Sequence, residues 1–300
     1  MTNALPADFA ENPIEGIFDG VHNDIYHRLP GWGSTNLKNF LRSPAHYKAG
    51  LIEKEITPQR AKNYRFGRAE HTILLEPHKY ASEFCILPPD LANRNKNSNA
   101  YKEGLAEFMR SEAEGREILT VEEEEILFAM RDAVWSHPVA EQLLTGKNKR
   151  RESSVWTRRN IAGGNLLTKC RPDLWLPGLP IDVKTTQDAN PKEYGRMIHN
   201  FGYHIQAAWY LDVLKPHDAD VGEMFGHIAV EKEAPFGVSV IRIAPEAVAL
   251  GRAIIENALP RVVACEAADK WPCYSQEIQI VDVPPYAYTK AEFDHEADED

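Results

Sequence analysis

The stretch best equipped for chemistry is Cys170-Arg171-Pro172-Asp173, followed after eight residues by Asp182-Val183-Lys184. Apolar and polar residues alternate on both sides of the turn formers Pro177-Gly178-Leu179-Pro180, which predicts paired strands and brings Asp173 and Asp182 to one end of a sheet. Side chains repeat every second residue along a strand, so Asp182 and Lys184 share a face, and the Val183 carbonyl remains available as a further oxygen ligand. Two carboxylates and a carbonyl suit Mg2+, or Mn2+ in its place, because hard divalent cations take oxygen ligands and keep several waters. A lysine beside such an ion can orient or help deprotonate a water and can offset charge growing on a phosphate. The ordinary alternative is an exposed hairpin that happens to carry Asp and Lys two residues apart. Against it stand Ile181 and Val183, which half-bury the strand, where an unpaired carboxylate is costly.

Positioning these groups requires a sheet and the helices that cover it. Residues 1–30, rich in Pro, Asn, Asp and Gly, lack periodicity and are expected as an arm of loops. Helices are predicted over 36–41, capped by Ser34 or Thr35 and stopped at Ser43-Pro44, and over 66–75. Residues 88–98 form a loop by composition, and a helical hairpin spans 100–110 and 122–134, with the acids at 122–125 as a solvated face or first turn. From Glu152 the texture changes to strand alternation, and a meander of three strands is predicted over 154–157, 166–170 and 181–185. A long helix over 191–214, strands over 224–231 and 237–243 and a helix over 245–268 complete the pattern. The fold class is therefore α/β, a mixed sheet flanked by helices with a helical N-terminal extension. The expected division is an arm (1–30), one domain (31–285) made of a helical part (31–150) and an α/β core (151–285), and a disordered acidic tail (286–300).

Composition narrows the class. The chain has 300 residues, 43% hydrophobic and 26% charged, which is ordinary for a globular protein. Its net charge of −11 argues against coating nucleic acid by bulk charge, although a local basic groove is compatible with it. Four scattered cysteines form neither a disulfide framework nor a C-x-x-C pair. With no leader-like start and no long apolar run, the expectation is a cytoplasmic protein without membrane contact.

The motif residues resemble a known family. Pro172-Asp173, Asp182-x-Lys184 looks like the P-D…(D/E)-x-K nuclease signature, with Asp in the second acidic place. Glu152, in Arg151-Glu152-Ser153-Ser154-Val155-Trp156, occupies the place of the acid that precedes the first core strand in phage-type exonucleases. Gln206-Ala207-Ala208-Trp209-Tyr210 is similar to the Q-x-x-x-Y helix motif of RecB-like nucleases. Gly67-Arg68-Ala69-Glu70-His71 resembles the helix whose histidine is a metal ligand in that group, and Ser34 to Tyr47 resembles its N-terminal S-x-x-x-L-x-x-F-x-x-S-P motif. Their order along the chain is the family's order. The likeness extends to the RecE-type exodeoxyribonucleases and implies a restriction-endonuclease-like core.

The activity it implies is Mg2+-dependent degradation of duplex DNA from 5′ ends, leaving a 3′ strand for a RecT-like annealing partner. It implies that Asp173, Asp182 and His71 bind metal with the Val183 carbonyl, that Lys184 acts on the water, and that Glu152 is an outer or second-metal ligand. Gln206 and Tyr210, four apart on one helix face, would line the site. It is also compatible with a ring-like homo-oligomer enclosing DNA.

Each residue has a structural alternative. His71 can be a core histidine on an apolar helix, Gln206 and Tyr210 polar edges of a packed helix, and Glu152 a partner of Arg150 or Arg151. Trp156, Trp175 and Trp209 are expected in the core. Cations for the DNA backbone fall in two clusters, Arg60, Lys62, Arg65 and Arg68 before His71 and Lys147, Lys149, Arg150 and Arg151 before Glu152, with solvated helix faces as the alternative. An iron-sulfur cluster is not expected, since only Cys265 and Cys273 lie near each other. The competing functions are a RecB-like endonuclease, a DNA-end-binding or inhibitory protein of nuclease-like fold, and a scaffold with no metal affinity.

Overall fold

A computed structural model describes residues 4–52, 58–284 and 288, without the side chains of 51, 52 and 58–63. Arg60 and Lys62 thus lie outside the described side chains, and the tail at 286–300 lies outside the described residues apart from 288. The helices are α1 (Asn23–Arg28), α2 (Ser34–Arg42), α3 (Pro44–Ile52), α4 (Pro58–Leu75), α5 (Pro77–Glu83), α6 (Pro89–Ala92), α7 (Asn99–Phe108), α8 (Val121–Ser136), α9 (Pro138–Thr145), α10 (Pro191–Asn200), α11 (Tyr203–Leu214) and α12 (Pro245–Ala268). The strands are β1 (Gly16–Phe18), β2 (Phe84–Ile86), β3 (Glu117–Leu119), β4 (Arg150–Arg151), β5 (Ser154–Ile161), β6 (Gly164–Cys170), β7 (Leu174–Leu176), β8 (Leu179–Thr186), β9 (Gly226–Glu231) and β10 (Val238–Arg242).

The central sheet has the order β10-β9-β8-β7-β4 and is mixed: β8 and β9 run parallel, the other neighbours antiparallel. One face packs Leu174, Ile181, Val183, Ile228 and Val230 against α4, α8 and α9 through Ile73, Leu74, Met130, Val134 and Leu144. Over the other face, α11 and α12 form the larger core around Trp209, Leu211, Phe225, Ile255 and Val262. This is the α/β architecture expected, and the three tryptophans are core residues as expected, Trp156 and Trp209 fully buried and Trp175 nearly so. No described helix is long and apolar enough to cross a membrane.

Several elements depart from expectation. The three-strand meander is divided between two sheets: β5 and β6 pair with β1, whereas β7 and β8 belong to the central sheet. Pro172, between β6 and β7, has no N–H to continue a ladder, so the chain changes sheets there. The first thirty residues contain β1 and α1 rather than loops alone. Phe9, Phe18 and Tyr26 close around Trp156 with ring centroids 4.8, 5.7 and 5.5 Å from it, an aromatic cluster too irregular in spacing to register as periodicity. The expected long helix is broken into α10 and α11 at Gly202, whose φ of +63° is left-handed and whose absent side chain makes room for Lys38. The helical hairpin is interrupted by β3, which pairs in parallel with β2.

Local signals elsewhere act as their chemistry dictates. Thr120 and Glu123 cap the start of α8 reciprocally, each side chain accepting the other's backbone N–H at 3.1 Å. The acid run that follows sits in that first turn, where the helix dipole favours it.

Gly251 lets α12 lie directly on the first turn of α11, because a Cβ there would meet the His204 backbone carbonyl. Alanine in place of a helical glycine ordinarily stabilises by about 1 kcal/mol. Here the expected result of Gly251→Ala is a loss of about 1–3 kcal/mol, read as a lower Tm in thermal melts, because the overlap is with backbone. An unchanged or higher Tm would mean that the two helices are not in this contact.

Candidate active site

The strand registers line up four polar residues across the central sheet. Arg151 pairs with Leu174 and Leu174 with Ile181, so the next positions set Glu152 beside Asp173 and Asp173 beside Asp182. Asp182 in turn pairs with His227 on β9. The row Glu152, Asp173, Asp182, His227 therefore crosses four strands. The Glu152 N–H donates to the Asp173 carbonyl at 3.2 Å, and Glu152 itself adopts a left-handed φ of +50°, a costly conformation for a residue with a Cβ.

Alternation along β8 sends Ile181 and Val183 into the apolar face and Asp182 and Lys184 to the other. Lys184 Nζ forms an ion pair with Asp182 Oδ2, and Gln206 Nε2, from α11, donates to the same oxygen at 3.2 Å. Lys184 also lies over the Tyr203 ring, 4.9 Å from its centroid. The Val183 N–H donates to Asp173 Oδ2 at 2.6 Å. Because a strand residue presents its N–H and C=O to the same side, the Val183 carbonyl faces the same gap.

From the opposite face of the sheet α4 contributes His71. Its Nδ1 lies 3.4 Å from Asp173 Oδ1 and 3.6 Å from Glu152 Oε1. His71, Glu152 and Asp173 offer ligand atoms all within 4.8 Å of one another, the one such histidine and carboxylate group among the described residues. The expected set placed Asp182 with His71 and Asp173 and Glu152 further out. In the structure Glu152 joins the close trio, while Asp182 is held by Lys184 and Gln206 in the adjoining position of the row.

Electrostatics follows from this crowding. Asp173 is pushed up to about 6, first by burial and then by Asp182, with His71 pulling the other way. Burial also opposes ionisation of Asp182 and Glu152, but Lys184 outweighs it at Asp182 and His71 with Arg171 outweighs it at Glu152, so both are held below the usual range. Burial would lower His71, yet Asp173, Glu152 and Glu70 raise it well above an ordinary histidine. Lys184 is raised by Asp182 and Asp173 against its own burial and stays an ammonium. His227 is pushed down to about 3 by burial and Lys184, and its Nδ1 shares a hydrogen bond of 3.0 Å with the Tyr194 hydroxyl.

The remaining candidates divide. Tyr210 packs its ring edge-on against Phe225 at 5.7 Å, and its hydroxyl is raised mainly by burial and then by Asp182. Arg65 grips Glu123 with two 2.9 Å contacts and Arg68 grips Glu117 at 2.7 Å, so these two guanidiniums are neutralised within the helical part rather than free for phosphates. The other cluster remains on the surface. Lys147, Lys149 and Arg151 line an open hollow of about 620 Å³ with Thr145, Gly146 and Asn148. Arg150 is half-buried over Trp175 and 3.5 Å from Asp19.

The structure adds three residues to the site. Arg171 fixes Glu152 Oε2 at 2.7 Å. His227 closes the row at its β9 end. Glu70, 1% exposed, adjoins His71 with both carboxyl oxygens lacking a hydrogen-bond partner among the described residues. A signal for it was present: Phe66, Ala69, Glu70, Ile73 and Leu74 follow the spacing of an apolar helix stripe, which marks Glu70 as a carboxylate in a core position.

Comparison with known proteins bears on the fold. The crystal structure of a protein from Eubacterium rectale named "Putative exonuclease" is similar, with a TM-score of 0.56 at 12% identity over 86% of this chain and 92% of that one. A phage related exonuclease from Haemophilus somnus 129PT aligns at a TM-score of 0.31 and 14% identity over 80% of this chain and 97% of that one. No curated protein sequence matches. Residues 33–284, spanning the whole row and α4, match the profile of one family, and the chain belongs to it: the PDDEXK-like domain of unknown function (DUF3799).

Proposed function

We propose that this protein is a divalent-cation-dependent exodeoxyribonuclease that degrades linear duplex DNA from its ends, in the 5′ to 3′ direction, leaving 3′ single strands for an annealing partner. The observation that carries the nuclease reading is the row of three carboxylates, Asp173 and Asp182 buried and Glu152 half-buried, with Lys184 at its side. Such a row is electrostatically unfavourable by itself and becomes favourable around a cation. The donor set fits Mg2+ or Mn2+: carboxylate oxygens, one imidazole nitrogen and a strand carbonyl facing the same gap. His71, Glu152 and Asp173 would hold the ion, with Asp182 and the Val183 carbonyl beside them. When bound, the cation supplies charge for the phosphate and acidity for the attacking water.

The chain's own groups do the rest. Lys184, paired with Asp182, serves as an orienting and charge-stabilising group. Gln206 holds Asp182 against rotation, and Arg171 does the same for Glu152. The basic hollow beside β4 would receive the DNA backbone through Lys147, Lys149 and Arg151. The family likeness supports the polarity, the annealing partner and a ring-like assembly that would retain the duplex.

Charge crowding makes a prediction about stability. Asp173 titrates at about 6 in the folded chain and near its ordinary 3.8 when unfolded. The folded state thus binds this proton more tightly, and its stability falls as pH rises from about 4 to about 6. In EDTA, Asp173→Asn is expected to melt higher than the parent at pH 7, by about 1–3 kcal/mol, with the gap closing towards pH 4. Added Mn2+ should reverse the order. A variant no more stable than the parent at pH 7 would argue against the crowding.

Activity is tested on linear and closed circular duplex DNA with Mg2+ or EDTA. Nucleotide release from linear DNA alone, lost by about a hundredfold or more in Asp182→Ala and in Lys184→Ala, is the expected outcome. Cutting of circles would indicate an endonuclease, and end binding without release a binding protein.

A further inference from the structure

One buried carboxylate of α4 itself, Glu70, stands outside the roles assigned to the row. Glu70 is 1% exposed, and neither of its carboxyl oxygens has a hydrogen-bond partner among the described residues. Buried polar side chains are almost always satisfied, so an orphaned carboxylate asks for an explanation. It is not a member of the close ligand trio of His71, Glu152 and Asp173. It stands on the far side of the His71 ring: Glu70 Oε2 lies at an ion-pair distance of 4.0 Å from Nε2, while Nδ1 faces Asp173 and Glu152 at 3.4 and 3.6 Å. The two ring nitrogens are thus addressed by carboxylates on opposite sides.

An imidazole that binds a cation through one nitrogen carries its proton on the other, and that N–H needs an acceptor to fix the tautomer and the ring plane. We infer that Glu70 is the positioning residue for His71: from its ion-pair distance of 4.0 Å it closes on the Nε2–H when the divalent cation is bound, and thereby commits Nδ1 to the ion. The inference rests on the metal-dependent reading above and extends it to a residue that touches neither the ion nor the DNA. It also accounts for a carboxylate in a stripe position that α4 would otherwise fill with an apolar side chain, since Phe66, Ala69, Ile73 and Leu74 are its stripe neighbours.

The test uses the full-length protein and Mn2+ alone, titrated calorimetrically, with metal-free thermal melts alongside. Glu70→Leu is expected to weaken Mn2+ binding about 10–100-fold, while the metal-free Tm stays at or above that of the parent, because an unpaired buried carboxylate has been removed. Glu70→Gln, whose amide oxygen still accepts Nε2–H, should recover part of the affinity. In 15N spectra of the Mg2+-loaded parent, His71 should be the Nε2–H tautomer, and in Glu70→Leu that signature should weaken. Parent-like Mn2+ affinity in Glu70→Leu would overturn the inference, as would an affinity loss matched by a drop in metal-free Tm. His71→Ala separates the two levels. If the parent binds Mn2+ and His71→Ala weakens it while Glu70→Leu does not, only the role of Glu70 fails; if the parent binds no Mn2+, the metal-dependent reading fails with it.

Discussion

Mutual repulsion among Glu152, Asp173 and Asp182 is the constraint around which the rest of the molecule is organised. Strand registers set these acids side by side, and burial of Asp173 and Asp182, with Glu152 half-buried beside them, removes most of the water that would screen them. A fold whose net stability is only a few kcal/mol can tolerate such a row only if compensating charge is brought to it. The chain brings it from several directions: His71 from α4, Arg171 from the end of β6, and Lys184 from the strand that carries Asp182. Each acid is also clamped by a donor, so the row is rigid as well as charged.

The layers explain how this is achieved. Because β8 alternates, its apolar residues bind it to α4, α8 and α9, while its polar pair turns towards α11. The site therefore draws on both sides of the sheet at the end of β7, where the ladder between β7 and β8 stops. The Val183 N–H spends itself on Asp173 instead of on a neighbouring strand. Termination of a ladder is here the source of a site.

What was legible in the residues was local. The turn at Pro177-Gly178 and the period of two along 181–184 are short-range rules, and they suffice to bring Asp173 to Asp182 and Lys184 to the same face. Non-local pairing was not legible. Arg65 and Arg68 read as free cations because their acids lie 58 and 49 residues away. The break at Gly202 was hidden because a lone glycine is tolerated within helices, and only the approach of Lys38 and a positive φ reveal it. The change of sheet at Pro172 needed three-dimensional pairing, although its missing N–H gave a cause. Glu70 was hidden by the adjacent histidine, which by itself accounts for the motif.

Glu123 does two jobs at once: it closes the start of α8 with Thr120 and grips Arg65, which lies on α4 before His71. One carboxylate thereby keys the rotation of one helix to the first turn of another. The imidazole's aim at the acids is consequently an inheritance from upstream architecture: anything that loosens that first turn would swivel a ring which shares no atom with it, in the manner of a latch felt at the far end of a lever.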